Sequence, residues 1–412
     1  MKISNSLLYT ITFLVGASGA AAQDWPQWRG PGRDNHVVGF KAPAVWPKEP
    51  AKKWKVTVGV GESSPTLVGN RLYVFGRQEG DEVMHCLDAD TGKPVWTDKY
   101  ATDAATGGAK GYPGPRATPA VGEGKVIALG LRGAVSCYDA EGGKLLWRKN
   151  ADNKAKESYP QFFTSSSPLI ADGVGIVFVK ALMAYNLSDG SVKWKWTGGA
   201  TPYGSPVLAE IAGVKQVVTP FDGGLAGVGF ADGKLLWKVS VGATGVWQSH
   251  YSTPIVVGNN VYYSSASGKM GGGASFTALK IEKKGDGLAA TEVWQKKTAA
   301  HGYHTPLYKD GLLYGVSLGK RNFFCLDAKT GAELWKDDEQ RGECGAILDV
   351  GPVLIALTAD RDLIAFKASN KKYEEVGKIR VSDSPTWCVP ILSGNRIYVK
   401  DKGGALALLT LP

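Results

Sequence analysis

Three histidines lie close together in this 412-residue chain: His250 in Trp247-Gln-Ser-His-Tyr-Ser-Thr-Pro254, and His301 and His304 in His301-Gly-Tyr-His-Thr-Pro306. Neutral imidazoles at that density could bind a transition metal. No carboxylate follows at a matching spacing, so the sequence favours a polar lining over a metal centre. Asp88-Ala-Asp90 and Asp360-Arg-Asp362 alternate acids. Neither continues to the Glu that closes a calcium loop, and both read as turns. Gly268-Lys-Met-Gly-Gly-Gly-Ala-Ser275 has the glycine content of a phosphate loop. It lacks the ordered lysine and the following helix, and reads as a connector. No Ser-His-Asp or Cys-His arrangement can be argued from spacing, and no catalytic residue is assigned.

A position that recurs along the chain is more informative. Short apolar runs open with a small residue and proline: Ser64-Pro65, Thr118-Pro119, Ser167-Pro168, Ser205-Pro206, Thr253-Pro254, Thr305-Pro306 and Val389-Pro390, with a proline-free copy at Gly345-Ala-Ile-Leu348. Three places before each proline, or its equivalent, stand Glu62, Arg116, Ser165, Tyr203, Tyr251, Tyr303, Glu343 and Trp387. Arg77, Arg132, Arg361, Lys400 and Lys402 follow the next apolar runs. An aromatic floor within a basic rim suits a planar or sugar-like ligand bearing carboxylate, sulfate or phosphate. The candidate ligand-binding residues are therefore Arg116, Tyr203, Tyr251, Tyr303, His304, Glu343 and Trp387, with Arg77, Arg132 and Arg361 on the rim.

The elements that must position these residues form a repeat. His85-Cys-Leu-Asp-Ala-Asp-Thr-Gly-Lys-Pro-Val-Trp96 returns at 137–147, 185–194, 229–237 and 325–335. In each copy an apolar strand runs into Asp or Asn, Gly supplies the positive φ of a tight hairpin, and the returning strand ends in Trp. One such hairpin cannot cover its own tryptophan, whereas a ring of them can. Eight units of four strands predict an all-β, eight-bladed propeller of antiparallel blades spanning 52–412. The last unit lacks a Trp-bearing fourth strand. Lys52-Lys-Trp-Lys-Val-Thr57 would supply it and remove a free sheet edge. Residues 23–51 form an N-terminal arm laid across the body.

The repeats resemble the pyrroloquinoline quinone (PQQ) repeat of PQQ dehydrogenases and of the outer-membrane assembly factor BamB, over essentially residues 24–412. Asp24-Trp-Pro-Gln-Trp-Arg-Gly-Pro31 is similar to the start of secreted PQQ-like propellers of planctomycete-type bacteria. In the enzymes of this family the quinone lies over the ring centre with a calcium ion, near an Asp base and often a pair of adjacent cysteines. This chain has no Cys-Cys pair and is shorter. These departures favour a non-catalytic binding propeller without a cofactor, and the basic, aromatic mouth favours an anionic polysaccharide, peptide or protein as partner. A PQQ-dependent oxidoreductase with Arg116, Glu343 and Trp387 nearest the quinone is one alternative. A BamB-like scaffold that captures peptide by strand addition is the other.

Composition agrees with a sheet-rich protein: 54 Gly and 13 Trp against 4 Met. The formal charge of +10 fits an acidic partner, although solubility alone would also account for it. Nucleic acid is not expected, nor a transmembrane segment, and a monomer is. Leu7–Val15 is an apolar run after Lys2 and before Ala20-Ala-Ala22, the pattern of a signal peptide over 1–22 cleaved near Ala22. The expected location is periplasmic or secreted. Cys86, Cys137 and Cys325 share one place in their repeats and read as small core residues. A disulfide between Cys344 and Cys388 is left open.

Overall fold

The computed structural model describes residues 24–149, 162–241, 248–267, 275–297, 304–317, 321–342 and 345–412. Their strands form eight sheets, each an antiparallel meander. This is the eight-bladed propeller that the repeats predict. The eighth sheet pairs Ala405–Thr410 with Ala51–Thr57, Trp54 opposite Leu408 and Thr57 opposite Ala405, so the two ends of the chain close the ring. The fifth blade departs from the pattern. Its hairpin Ser275–Lys284 and Gly287–Lys297 runs past its neighbours, and Gln248–Ser249 adds a short strand to its second member.

Tryptophan joins the blades, and it does so through the turns. The Asp88 carboxylate accepts the Thr91 amide at 2.9 Å and the Thr91 hydroxyl at 2.7 Å, which fixes the tight turn. Asp90 pairs with Arg396 at 2.8 Å, so neither acid of Asp88-Ala-Asp90 is left for a metal. Gly92, at φ 69°, lies on the face of Trp54 of the preceding blade, and a β-carbon there would stand 2.8 Å from the indole. The Trp54 Nε1–H donates to Ala89 in that same turn at 3.2 Å. Trp96, Trp147, Trp194, Trp294 and Trp335 repeat the donation to the next blade. The turn glycine is therefore required twice over, for its φ and for its missing side chain. Trp237 differs and donates to Gln216 of its own blade at 2.6 Å. The long hairpin of the fifth blade turns tightly at Gly285-Asp286 and lacks the longer Asp-x-x-x-Gly turn that receives the others.

Across the strand pair, each of these tryptophans except Trp54 faces a small residue: Cys86, Cys137 and Cys325 in three blades, Ala or Gly in others. These cysteines are buried and unbridged, as small core residues would be. In the seventh blade the tryptophan position is occupied by Gly377, opposite Ala365. Trp46 of the N-terminal arm lies against it, so close that a β-carbon at Gly377 would be 2.1 Å from the indole. The arm supplies from outside the ring that the seventh repeat lacks.

The arm does more than cross the surface. Trp25 bridges Leu67 of the first blade, Val121 of the second donates to Pro26, and Arg33 reaches Ser167, Pro168 and Pro206 of the third and fourth. Trp28 bonds Thr253, Arg29 bonds Pro306, Asn35 bonds Ile347 and the Lys41 amide bonds Gly394. One segment of under twenty residues thus bonds all eight blades at or beside their innermost strands.

A second belt joins the inner strands above the arm. The hydroxyl of the residue before each strand-opening proline, Val389 excepted, accepts an amide from the neighbouring blade: Val389 to Ser64 at 2.8 Å, Ser64 to Thr118 at 3.2 Å, Thr118 to Ser167 at 3.0 Å. It continues from Ser167 to Ser205 at 2.9 Å, Ser205 to Thr253 at 3.4 Å and Thr253 to Thr305 at 2.8 Å. The small residue of the sequence pattern is a hydroxyl because the amide at the channel wall needs an acceptor.

The arm is latched at its far end by His36, whose Nδ1 lies 2.8 Å from Asp349, itself bonded by Lys309 at 2.9 Å. The hydrogen bond to Asp349, with help from Asp34 and against burial and Lys309, raises the His36 pKa. Its folded-state value lies above the unfolded one, so this contribution is full below about pH 6.5 and is lost as pH rises through the folded pKa. Asp349, held down to about 2, contributes above its unfolded value and loses that as pH falls towards 2. The midpoint of urea unfolding should therefore fall between pH 6 and pH 8.5 more in the wild type than in His36→Gln. Equal slopes would show that the latch does not couple to folding.

Candidate functional site at the channel mouth

Each inner strand starts at one mouth of the channel, and the residues three places before the prolines converge there. Among the described residues Glu62, Arg116, Ser165, Tyr203, Tyr251 and Trp387 all line one cavity of about 400 Å³. Tyr303 and Glu343 lie outside the described residues. The belt residues Ser167, Ser205 and Thr253 and the arm residue Trp28 lie deeper in its wall. Tyr112 and Phe162 complete it. Sequence reasoning missed these last three rings because none of them belongs to the repeat.

The rings are ordered by one another. Tyr203 and Tyr251 stack at 5.2 Å with planes 17° apart, Phe162 meets Tyr203 edge-on, and Tyr112 packs on Trp387 at 5.3 Å. Lys402 sets its ammonium 4.2 Å from the Tyr112 ring and 5.8 Å from Trp387, a cation held at the rim by two π faces. Arg116 bonds the carbonyls of Phe162 and Tyr112, and its Nε stands 3.8 Å from Glu62. Burial raises the Glu62 pKa against the pull of Arg116, and burial lowers that of Arg116. The pair is an ionic contact kept out of water, and the Arg116 fork braces the two aromatic walls.

The rest of the expected rim is arranged differently. Arg77 donates to the carbonyls of Gly80 and Thr102, Arg132 to those of Asp103 and Ala104, and Arg361 to those of Asp360 and Asp383. None of the three lines the cavity. Each braces a loop. Lys400 is fully buried and donates to Gly61, joining the eighth blade to the first beneath the mouth. His304 is buried, and its Nε2 accepts the Val316 amide at 3.1 Å. His250 accepts the Gly223 amide at 3.2 Å on Nε2 and meets the Tyr263 hydroxyl at 3.0 Å on Nδ1. Burial pushes both imidazoles down to about 4, so they are neutral structural groups. His301 and Cys344 lie outside the described residues, and the open disulfide with them; Cys388 is a buried thiol 3.4 Å from the Glu62 carbonyl.

A quinone with its calcium ion was tested against this wall. Glu62 is the one carboxylate on it among the described residues, and its partner is Arg116. No group of three His, Cys, Asp or Glu close enough to hold a metal ion occurs among them. The described residues do not fit the calcium-quinone pair. The chemistry the wall does offer is stacking, hydroxyl hydrogen bonding and a rim cation.

Known proteins place this architecture. The profile of the family described as outer membrane protein assembly factor BamB matches residues 79–337, well over half of the chain. The chain belongs to this family. Outer membrane protein assembly factor BamB of Burkholderia pseudomallei (strain K96243) is 25% identical over 375 residues, 86% of each chain. The crystal structure of BamB from Moraxella catarrhalis superposes with a TM-score of 0.63 at 14% identity, over 88% of this chain and all of that one. Quinohemoprotein alcohol dehydrogenase from Comamonas testosteroni gives 0.67 at 15% identity, over 96% of this chain and 81% of that one. At such identities the two structures speak for the BamB-family propeller fold alone. Among the described residues, no helix is long and apolar enough to cross a membrane.

Proposed function

We propose that the chain is a non-catalytic binding propeller of the cell envelope that seats a flat ring in its channel mouth. The ring is a sugar unit of an anionic glycan, its acidic substituent turned to Lys402. The observation that supports this most is the convergence of six aromatic side chains and the Arg116 fork on one cavity of about 400 Å³. Aromatic faces cover the apolar face of a pyranose, belt hydroxyls meet its rim, and a cation at the edge favours a uronate or sulfate. The apolar N-terminal run and a family named for outer-membrane assembly support the envelope location.

A second reading has its own support. The matched family is named as an assembly factor, which favours a protein partner whose aromatic side chain enters the same cavity. Calorimetric titration with an oligogalacturonate decides between them. The glycan reading expects saturable binding, weakened roughly fivefold by Trp387→Ala, the loss of a stacking face worth about 1 kcal/mol. Lys402→Glu should weaken it further at low salt. Binding that is absent, or unchanged in both variants, sinks the glycan reading. PQQ with calcium serves as the enzyme control: a shift in quinone absorbance and in the melting temperature would reinstate the oxidoreductase.

A further inference from the structure

Below the mouth, the channel contains two buried arginines; the charge of Asp34 acts on Arg29, but Asp34 bonds it only through its backbone carbonyl. Arg29 is 1% exposed and Arg33 is 4% exposed. Among the described residues neither makes an ion pair with a carboxylate. Arg33 spends its donors well, on Gln27 and on the carbonyls of Ser167, Pro168 and Pro206. Arg29 does not. Its Nη2 donates to the backbone carbonyls of Asp34 at 3.3 Å and Pro306 at 3.0 Å, while Nε and Nη1, both buried, have no acceptor. A buried guanidinium with unmade hydrogen bonds is costly, and a second like charge in the same channel adds to the cost.

The surroundings are donors too. Pro306 follows Thr305, and Pro168 and Pro206 follow Ser167 and Ser205, so both guanidiniums bond carbonyls beside the hydroxyl belt. The hydroxyls of Thr305, Ser167 and Ser205 accept amides. Among the described residues their own protons go to no protein acceptor. Burial lowers the pKa of Arg29 to about 10 and that of Arg33 to about 9, so both remain cations at neutral pH. His304, which Arg29 pushes down along with burial, stays neutral and adds no counter-charge.

We propose that the channel holds a small monovalent inorganic anion of the halide class on the open N–H groups of Arg29, beneath the hydroxyl belt. A single-atom anion fits best, because Arg29 is 1% exposed and is not on the wall of the mouth cavity. The anion accepts what Arg29 cannot otherwise donate and offsets two buried positive charges. It also ties the arm to the ring, since Arg29 belongs to one and Pro306 to the other. The site is separate from the ring-binding cavity, and its test does not depend on any glycan.

The experiment uses bromide as probe. In crystals of the mature chain grown in sodium bromide, the bromine absorption edge should give an anomalous peak within hydrogen-bond distance of Arg29. In solution, melting should shift upward by about 1–2 °C on replacing gluconate with chloride at equal ionic strength, at a chloride concentration some ten times its Kd. Arg29→Gln should abolish that difference. If the variant does not fold, the wild-type diffraction experiment still decides. Ordered water at Arg29 without anomalous signal, bromide confined to surface lysines, or identical melting in the two salts each overturns the proposal.

Discussion

Truncating Trp25 to alanine is expected to lower the stability of the protein by about 3–5 kcal/mol, the range for removing a fully buried tryptophan. Trp25 is 1% exposed, although it precedes the first repeat by some forty residues. Its amide donates to Leu67 at 2.7 Å and its carbonyl accepts the Leu67 amide at 2.9 Å. Gly30, at φ 82°, folds the arm back over the indole, with a would-be β-carbon 2.8 Å away. The side chain packs in the core shared by the first, seventh and eighth blades. Its loss leaves a cavity where the two ends of the ring meet. Chemical denaturation of Trp25→Ala, followed by far-ultraviolet circular dichroism, measures the cost. A change below 1 kcal/mol would show that the arm is laid on the ring and does not help to close it.

Thr253→Val is expected to cost about 2–4 kcal/mol, with almost no change of shape. The Thr253 hydroxyl accepts the Ser205 amide at 3.4 Å and the Trp28 indole N–H at 3.0 Å. Valine fills the same space and accepts neither, so two donors in the channel wall lose their acceptor at about 1–3 kcal/mol each. Thr253→Ser keeps the hydroxyl and should stay within about 1 kcal/mol of the wild type. The pair of variants separates the hydrogen bond from packing. If serine and valine cost the same, the belt is incidental to stability. Because Trp28 also lines the mouth, Thr253→Val should weaken ligand binding there as well.

The mouth shows how far spacing carries. Counting three residues back from each proline placed Arg116, Tyr203, Tyr251 and Trp387 in one cavity, because the inner strands start at one level and a fixed offset therefore maps to a fixed height. Counting forward to the loop cations worked less well. Arg77, Arg132 and Arg361 have backbone carbonyls within reach of their long side chains, and a guanidinium near an unsatisfied carbonyl turns to it before it turns to solvent. Lys400 went further and was buried whole, because the Gly61 carbonyl of the first blade lies beside it across the closure.

What the amino-acid order fixes by itself is whatever repeats locally. The Asp-x-x-x-Gly turn, the tryptophan that ends the hairpin and the hydroxyl before all but one of the strand-opening prolines involve residues a few places apart, and their recurrence dictates eight blades in a ring. The closing strand was legible for the same reason, since Lys52–Thr57 is a fragment of the repeat without its first part. Only the folded chain could assign the arm to the channel, place Trp46 in the gap at Gly377, bring Tyr112, Phe162 and Trp28 to the mouth and leave Nε and Nη1 of Arg29 without acceptors. Those contacts join residues separated by tens to hundreds of positions and have no period. They follow from the shape left over once the blades have closed, and a periodic pattern carries no record of that shape.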